Sequence, residues 1–135
     1  MSRYVCDTHP LLWHLTSNRS LSTAAREVLT SADAGLNQIL VPGIGFIETV
    51  YLVEKGVVKR EIIEQTLTLL NTPNGSYQVA SLDQHVARTM LENVPWSAIP
   101  ELADRIIAAT ALALELPLIT KDQKIRDAGI LTVIW

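Results

Sequence analysis

The chain has a single cysteine, no long apolar run and no basic excess, and each absence removes a class of answers. With one thiol, Cys6, no internal disulfide forms, which points to a reducing compartment and a cytoplasmic protein. No stretch reaches the roughly 18 apolar residues that a membrane span requires. The opening "MSRYVCDTHP" has neither the apolar core nor the cleavage site of a secretory signal. There is no Cys/His cluster at zinc spacing, no internal repeat and no low-complexity tract. The balance of 11 basic to 14 acidic residues, a net charge of −3, argues against a plain nucleic-acid-binding module. That exclusion has a gap. With four acids assigned to one metal site, ten acids face eleven bases, a balance of +1, and a bound divalent ion reverses the local sign.

What is present is a packed-core composition: 135 residues, 48% hydrophobic and 19% charged. This is the size of one domain, spanning 1–135. Short apolar segments alternate with helical ones from end to end. Strands are expected at 3–7, 37–42, 77–82, 117–120 and 130–135. Helices are expected to start near Pro10 and to cover 22–32, 45–56, 58–71, 83–93 and 100–115, with Pro42 and the Gly43/Gly45 pair ending the second strand. The strands are apolar throughout rather than alternating, as in a parallel sheet covered on both faces. The expected fold is a three-layer α/β/α sandwich with a short, mainly parallel sheet of four to five strands.

In such sheets ligands sit at the carboxyl ends of the strands. Asp7 follows the first strand, and Asp122 follows "PLIT". Asp104 opens a helix feeding the next strand, and Glu48 lies early in the helix after the second strand. Topology therefore brings four carboxylates to one edge. Clustered carboxylates repel one another and need either protons or a cation. Mg²⁺ and Mn²⁺ suit an all-oxygen donor set, and such ions commonly serve phosphodiester hydrolysis. Thr8 and Thr120 stand beside these acids as hydroxyls able to orient a carboxylate or a bound water. Each acid also has a plain structural reading: Asp7 as a helix cap, Asp104 as a first-turn acid placed for the helix dipole, Glu48 as a solvated helix residue, Asp122 as a turn residue.

The segments "VCDTHPLLW", "GFIETVYLVEKG", "DRIIAATALALELPLITKD" and "ILTVIW" together resemble the PIN-domain family, in order and across nearly the whole chain. They are most similar to its single-domain toxins of the VapC type. The resemblance implies a Mg²⁺- or Mn²⁺-dependent ribonuclease in which Asp7, Glu48, Asp104 and Asp122 hold the metal. It also implies a cognate antitoxin lying along a groove, a homodimer, and Thr120 as the small polar residue preceding the last acid. One departure is visible. The family often has a hydroxyl residue near the start of the Glu48 motif, where this chain has Gly43 and Gly45.

Arg105, Lys121 and Lys124 flank the last two acids and are candidates for substrate phosphates, Arg105 and Lys121 before Lys124 because each adjoins an acid directly. His9 sits beside the acids, with packing or capping as its plainer role. His14 and His85 carry no partner signal. The apolar first helix, with Leu11, Leu12, Trp13 and Leu15, serves core packing and leaves room for a dimer face or a partner groove. Two rival readings stand. One is a PIN-like scaffold that binds RNA or protein without cutting. The other is a receiver-type phosphoacceptor domain. The latter needs an aspartate ending a middle strand, and neither "NQILVPG" nor "YQVASL" offers one, since Asp83 reads as a cap.

Overall fold

A computed structural model describes every residue from Met1 to Trp135. Five strands form one sheet: β1 (Ser2–Cys6), β2 (Asn37–Pro42), β3 (Tyr77–Ala80), β4 (Leu118–Ile119) and β5 (Val133–Ile134). The spatial order is β3-β2-β1-β4-β5, and every pairing is parallel. Seven helices connect them: α1 (Thr8–Leu15), α2 (Thr23–Asp33), α3 (Gly43–Glu54), α4 (Arg60–Asn71), α5 (Gln84–Asn93), α6 (Leu102–Leu114) and α7 (Gln123–Ala128). No helix is long and apolar enough to cross a membrane.

The apolar strands are explained by two cores, one on each face. Successive strand residues point to opposite faces. Val5, Leu40, Ala80 and Leu118 join Val86 of α5, Ile107 and Ala111 of α6 and Ile125 of α7. Cys6, Ile39, Val41, Tyr77 and Ile119 join Leu11 of α1 and Ala25, Leu29 and Ala32 of α2. These are the two outer layers of an α/β/α sandwich. Burying an isoleucine such as Ile107 or Ile119, each with no exposed surface, contributes about 2 kcal/mol.

Helix starts follow local chemistry. Ser22 accepts from the amide of Ala25 at 3.1 Å, and Asp83 from that of Val86 at 3.1 Å, satisfying amides that have no intrahelical partner. Three boundaries differ from the sequence reading. Gly43 and Gly45 lie inside the first turn of α3 rather than ending β2. Pro100 precedes α6, whose cap is Glu101. Residues 123–128, which follow the turn-like "TKD" at 120–122, form α7; Asp122 caps it and Gly129, at φ 65°, stops it.

At the amino end of the sheet lies a closed polar cluster. Asp33, ending α2, accepts from the Tyr77 hydroxyl at 2.6 Å and contacts His14 Nε2 at 2.7 Å. It ties α1, α2 and β3 together. Burial, then the hydrogen bond to Asp33, pushes the Tyr77 phenol well above its ordinary range.

Candidate active site

The chain order places a switch in direction at β1. From β1 it winds outward through β2 to β3, then returns to β4 on the other side of β1. Such a reversal leaves a crevice at the carboxyl ends of the two strands. Asp7 and Asp122 stand there. The Asp7 amide donates to the Ile119 carbonyl at 2.9 Å, continuing the ladder between β1 and β4.

Asp7 is buried, and both of its carboxylate oxygens are engaged. Oδ1 accepts from the Thr8 amide at 2.7 Å, and Oδ2 from the Thr120 hydroxyl at 2.8 Å. Burial nevertheless raises its pKa, outweighing those hydrogen bonds and the favourable field of His9, while Asp122 adds repulsion. The Thr120 hydroxyl also accepts from the Asp122 amide at 3.0 Å. One hydroxyl thus bridges the two acids. Asp122 Oδ1 accepts from the Ile125 amide at 2.9 Å and starts α7.

Glu48 sits in the second turn of α3, half-buried, and Oε1 accepts from the Thr8 hydroxyl at 2.7 Å. Burial raises its pKa against this hydrogen bond, and Asp7 and Glu101 repel it further. Gly45 makes the contact possible. A Cβ there would come within 3.3 Å of Thr8 Oγ1. A side chain at position 45 would crowd the Thr8 hydroxyl that holds Glu48.

Asp104 is the third residue of α6. Burial, a hydrogen bond with the Glu101 carboxyl, and repulsion from Asp122, Glu101 and Asp7 push its pKa up to about 8. Glu101 also accepts from the Ala103 amide at 3.1 Å and so caps α6.

Together Asp7, Glu48, Glu101, Asp104 and Asp122 line one cleft of about 420 Å³, walled by His9, Pro10, Trp13 and Lys121. All four acids singled out in the sequence face it. Glu101 is an addition. Its signal was available, since it lies three residues before Asp104 on one helical edge, but placing the helix start at Pro100 hid its role as cap. Lys121 lines the cleft, its Nζ 5.6 Å from the centre of the Trp13 ring. Arg105 does not. Its Nη2 donates to the Val94 carbonyl at 2.8 Å, and its Nε is buried without a partner. Through that bond Arg105 ties α6 to the end of α5.

The donor chemistry suits a hard divalent cation: only oxygen donors, partly desolvated and mutually repelling, with charged forms that burial disfavours and a cation would favour. As the side chains stand, no three acidic, histidine or cysteine groups close on a common point. Glu48 is drawn toward Thr8. A larger hollow of about 750 Å³ lies near the amino ends of β4 and β5, lined by His85, Glu115 and Thr132 among others. His85 there is spent on the Ala113 carbonyl at 3.2 Å, and no comparable group of acids gathers.

The chain is similar to Ribonuclease VapC22 of Mycobacterium tuberculosis, with 28% identity over 127 residues, covering 94% of this chain and 92% of that protein. Its fold is similar to that of VapBC2 from Rickettsia felis, solved with a DNA fragment from its promoter; the TM-score is 0.69 at 17% identity, covering 97% and 96% of the two chains. It is also similar to a toxin–antitoxin complex from Klebsiella pneumoniae, with a TM-score of 0.66 at 24% identity, covering 98% and 96%. At those identities the two structures speak for the fold. The PIN domain family matches residues 4–131, and with the parallel five-stranded order and the acid-lined crevice beside β1, the chain belongs to that family.

Proposed function

We propose that the chain is a divalent-metal-dependent ribonuclease that hydrolyses RNA phosphodiester bonds, acting as the toxin of a type II toxin–antitoxin pair. The observation that carries this reading is the set of desolvated carboxylates around one cleft at the reversal of the sheet. Asp7, Glu48, Asp104 and Asp122 would hold the ion, which is Mg²⁺ or Mn²⁺ by its preference for oxygen donors. When bound, it would lower the pKa of a water and offset charge on the phosphate. The protein's part is orientation. Thr120 fixes Asp7 and the backbone of Asp122, and Thr8 fixes Glu48. Glu101 crowds Asp104 and disfavours its charged form, a cost that a bound cation would offset.

The printed descriptions of the similar proteins, a ribonuclease and two toxin–antitoxin assemblies, support an RNA substrate and an antitoxin partner. A homodimer, a cytoplasmic setting and a single functional domain over 1–135 complete the proposal. The test is cleavage of total RNA with EDTA, then with added Mg²⁺ or Mn²⁺, comparing the wild type with Asp7→Asn/Asp104→Asn. Cleavage restored by metal and lost in the double variant supports the reading. One observation favours a non-cutting scaffold: no three acids enclose an ion as they stand. RNA binding by the wild type without metal-dependent cleavage would select that alternative.

A further inference from the structure

The acid cleft has one wall that is not acidic. Asp7 leads directly into α1, and His9 and Trp13 lie four residues apart on it, on one helical face. Their ring centroids are 5.7 Å apart, with planes at 49°. Both line the cleft with the carboxylates. His9 is exposed and Trp13 only partly buried. Lys121, between Thr120 and Asp122, sets its ammonium above the Trp13 ring. From behind, Trp135 braces Trp13 at 6.0 Å and 56°. Lys121 is the only Lys or Arg lining the cleft.

We propose that His9, Trp13 and Lys121 form a nucleotide subsite, where a base of single-stranded RNA stacks on the aromatic wall and Lys121 meets a neighbouring phosphate. The inference rests on the ribonuclease reading and names the form of RNA that the site takes. With an ion on the acid floor the phosphate is attracted there, and the bases are left to the cleft's one wall that is not acidic. Base stacking needs no charge, and every base has a face to offer. A duplex keeps its bases stacked inside and cannot use such a wall. Core packing alone accounts for the Trp13–Trp135 contact. It does not account for the exposed imidazole and the ammonium gathered around the same ring on the cleft side.

The test uses the full chain, Mg²⁺ and a short fluorescent 2′-O-methyl oligonucleotide, which resists cleavage. Its arms are the single strand, the same strand with abasic positions, and a duplex. Binding is read by anisotropy. Trp13→Leu, which keeps bulk but not the ring face, should weaken single-strand binding about tenfold, within the roughly 5- to 150-fold range that stacking supports. Trp13→Phe should restore most of it. His9→Ala should weaken it severalfold, and Lys121→Gln should lower the salt slope by about one. The abasic strand should bind wild type and Trp13→Leu alike. If Trp13→Leu fails to fold, His9→Ala and Lys121→Gln carry the test, because neither side chain is part of a core. Wild-type affinity in His9→Ala, or a duplex bound as well as the single strand, overturns the subsite. Cleavage of cellular RNA by the wild type is scored separately. Metal-dependent cutting with unaltered binding in these variants sinks the subsite alone, whereas no cutting sinks the nuclease as well.

Discussion

Two acids of this molecule have both oxygens engaged, and they sit at opposite ends of the sheet. Asp33, at the amino end, has one hydroxyl and one imidazole as partners and no other carboxylate in its hydrogen-bonded group. Asp7, at the carboxyl end, has a hydroxyl and an amide as partners and shares its cleft with four more acids. The first cluster is complete and does one thing, holding α1, α2 and β3 together. The second has its hydrogen bonds in place and its charges unsettled. Groups held in positions that cost stability mark a site kept for chemistry.

The contrast breaks most sharply under charge removal. Asp104→Asn should lower RNA cleavage by at least about a hundredfold, the scale of losing a positioned acid–base or ligand group, while the melting temperature in EDTA stays level or rises, because burial and the neighbouring acids already disfavour a charge at that position. Loss of fold in that variant would put Asp104 in the same class as Asp33. Next in size is Thr120→Val, which frees Asp7 Oδ2 and the Asp122 amide together. Metal affinity, read by calorimetry, should fall about 10- to 100-fold; an unchanged value would make Thr120 a packing residue only. Asp33→Ala should do the reverse of both: leave cleavage intact and cost about 1–3 kcal/mol in urea unfolding, by leaving the buried Tyr77 hydroxyl only its long contact with the Leu29 carbonyl.

The subtlest distinction is in pH dependence. The folded Asp104 titrates near 8, against about 3.9 for an unfolded aspartate. Folding favours its neutral form, so the stability it contributes is complete below about pH 4 and lost as pH rises through about 8. Asp7 and Glu48 shift in the same direction. In EDTA the melting temperature should decline between about pH 5 and pH 9, and Mg²⁺ or Mn²⁺ should remove the decline at its upper end, where the acids are free to bind. A flat profile in EDTA would mean that the carboxylates are better solvated than the cleft suggests.

Asp7 and Asp122 were legible because strand ends are marked by where apolar runs stop, and a parallel sheet gathers those ends on one side. Asp104 was legible because its helix is strongly apolar and starts close before it. What escaped notice depended on contacts between distant segments. Glu101 looks like any acid near a helix start until its partner Asp104 is seen. Arg105 is indistinguishable in sequence from a phosphate-binding cation, and only the Val94 carbonyl explains it. The fit between Gly45 and Thr8 joins two helices and leaves no local pattern at all. The sequence puts the last two strands at 117–120 and 130–135, whereas only Leu118–Ile119 and Val133–Ile134 pair as strands, and Ile130 and Leu131 pack against a core instead.

Asp7, Glu101 and Asp122 each begin a helix as well as face the cleft, so instructions for assembly and for reactivity share the same atoms. An amide side chain starts a helix as well as its acid does. A one-letter swap from D to N at position 7 or 122 would therefore yield a mute twin: the same silhouette, available to the same companions, with its blade removed. Descendants of this chain that have given up cutting need not look damaged, and their retirement would be written in a single nitrogen.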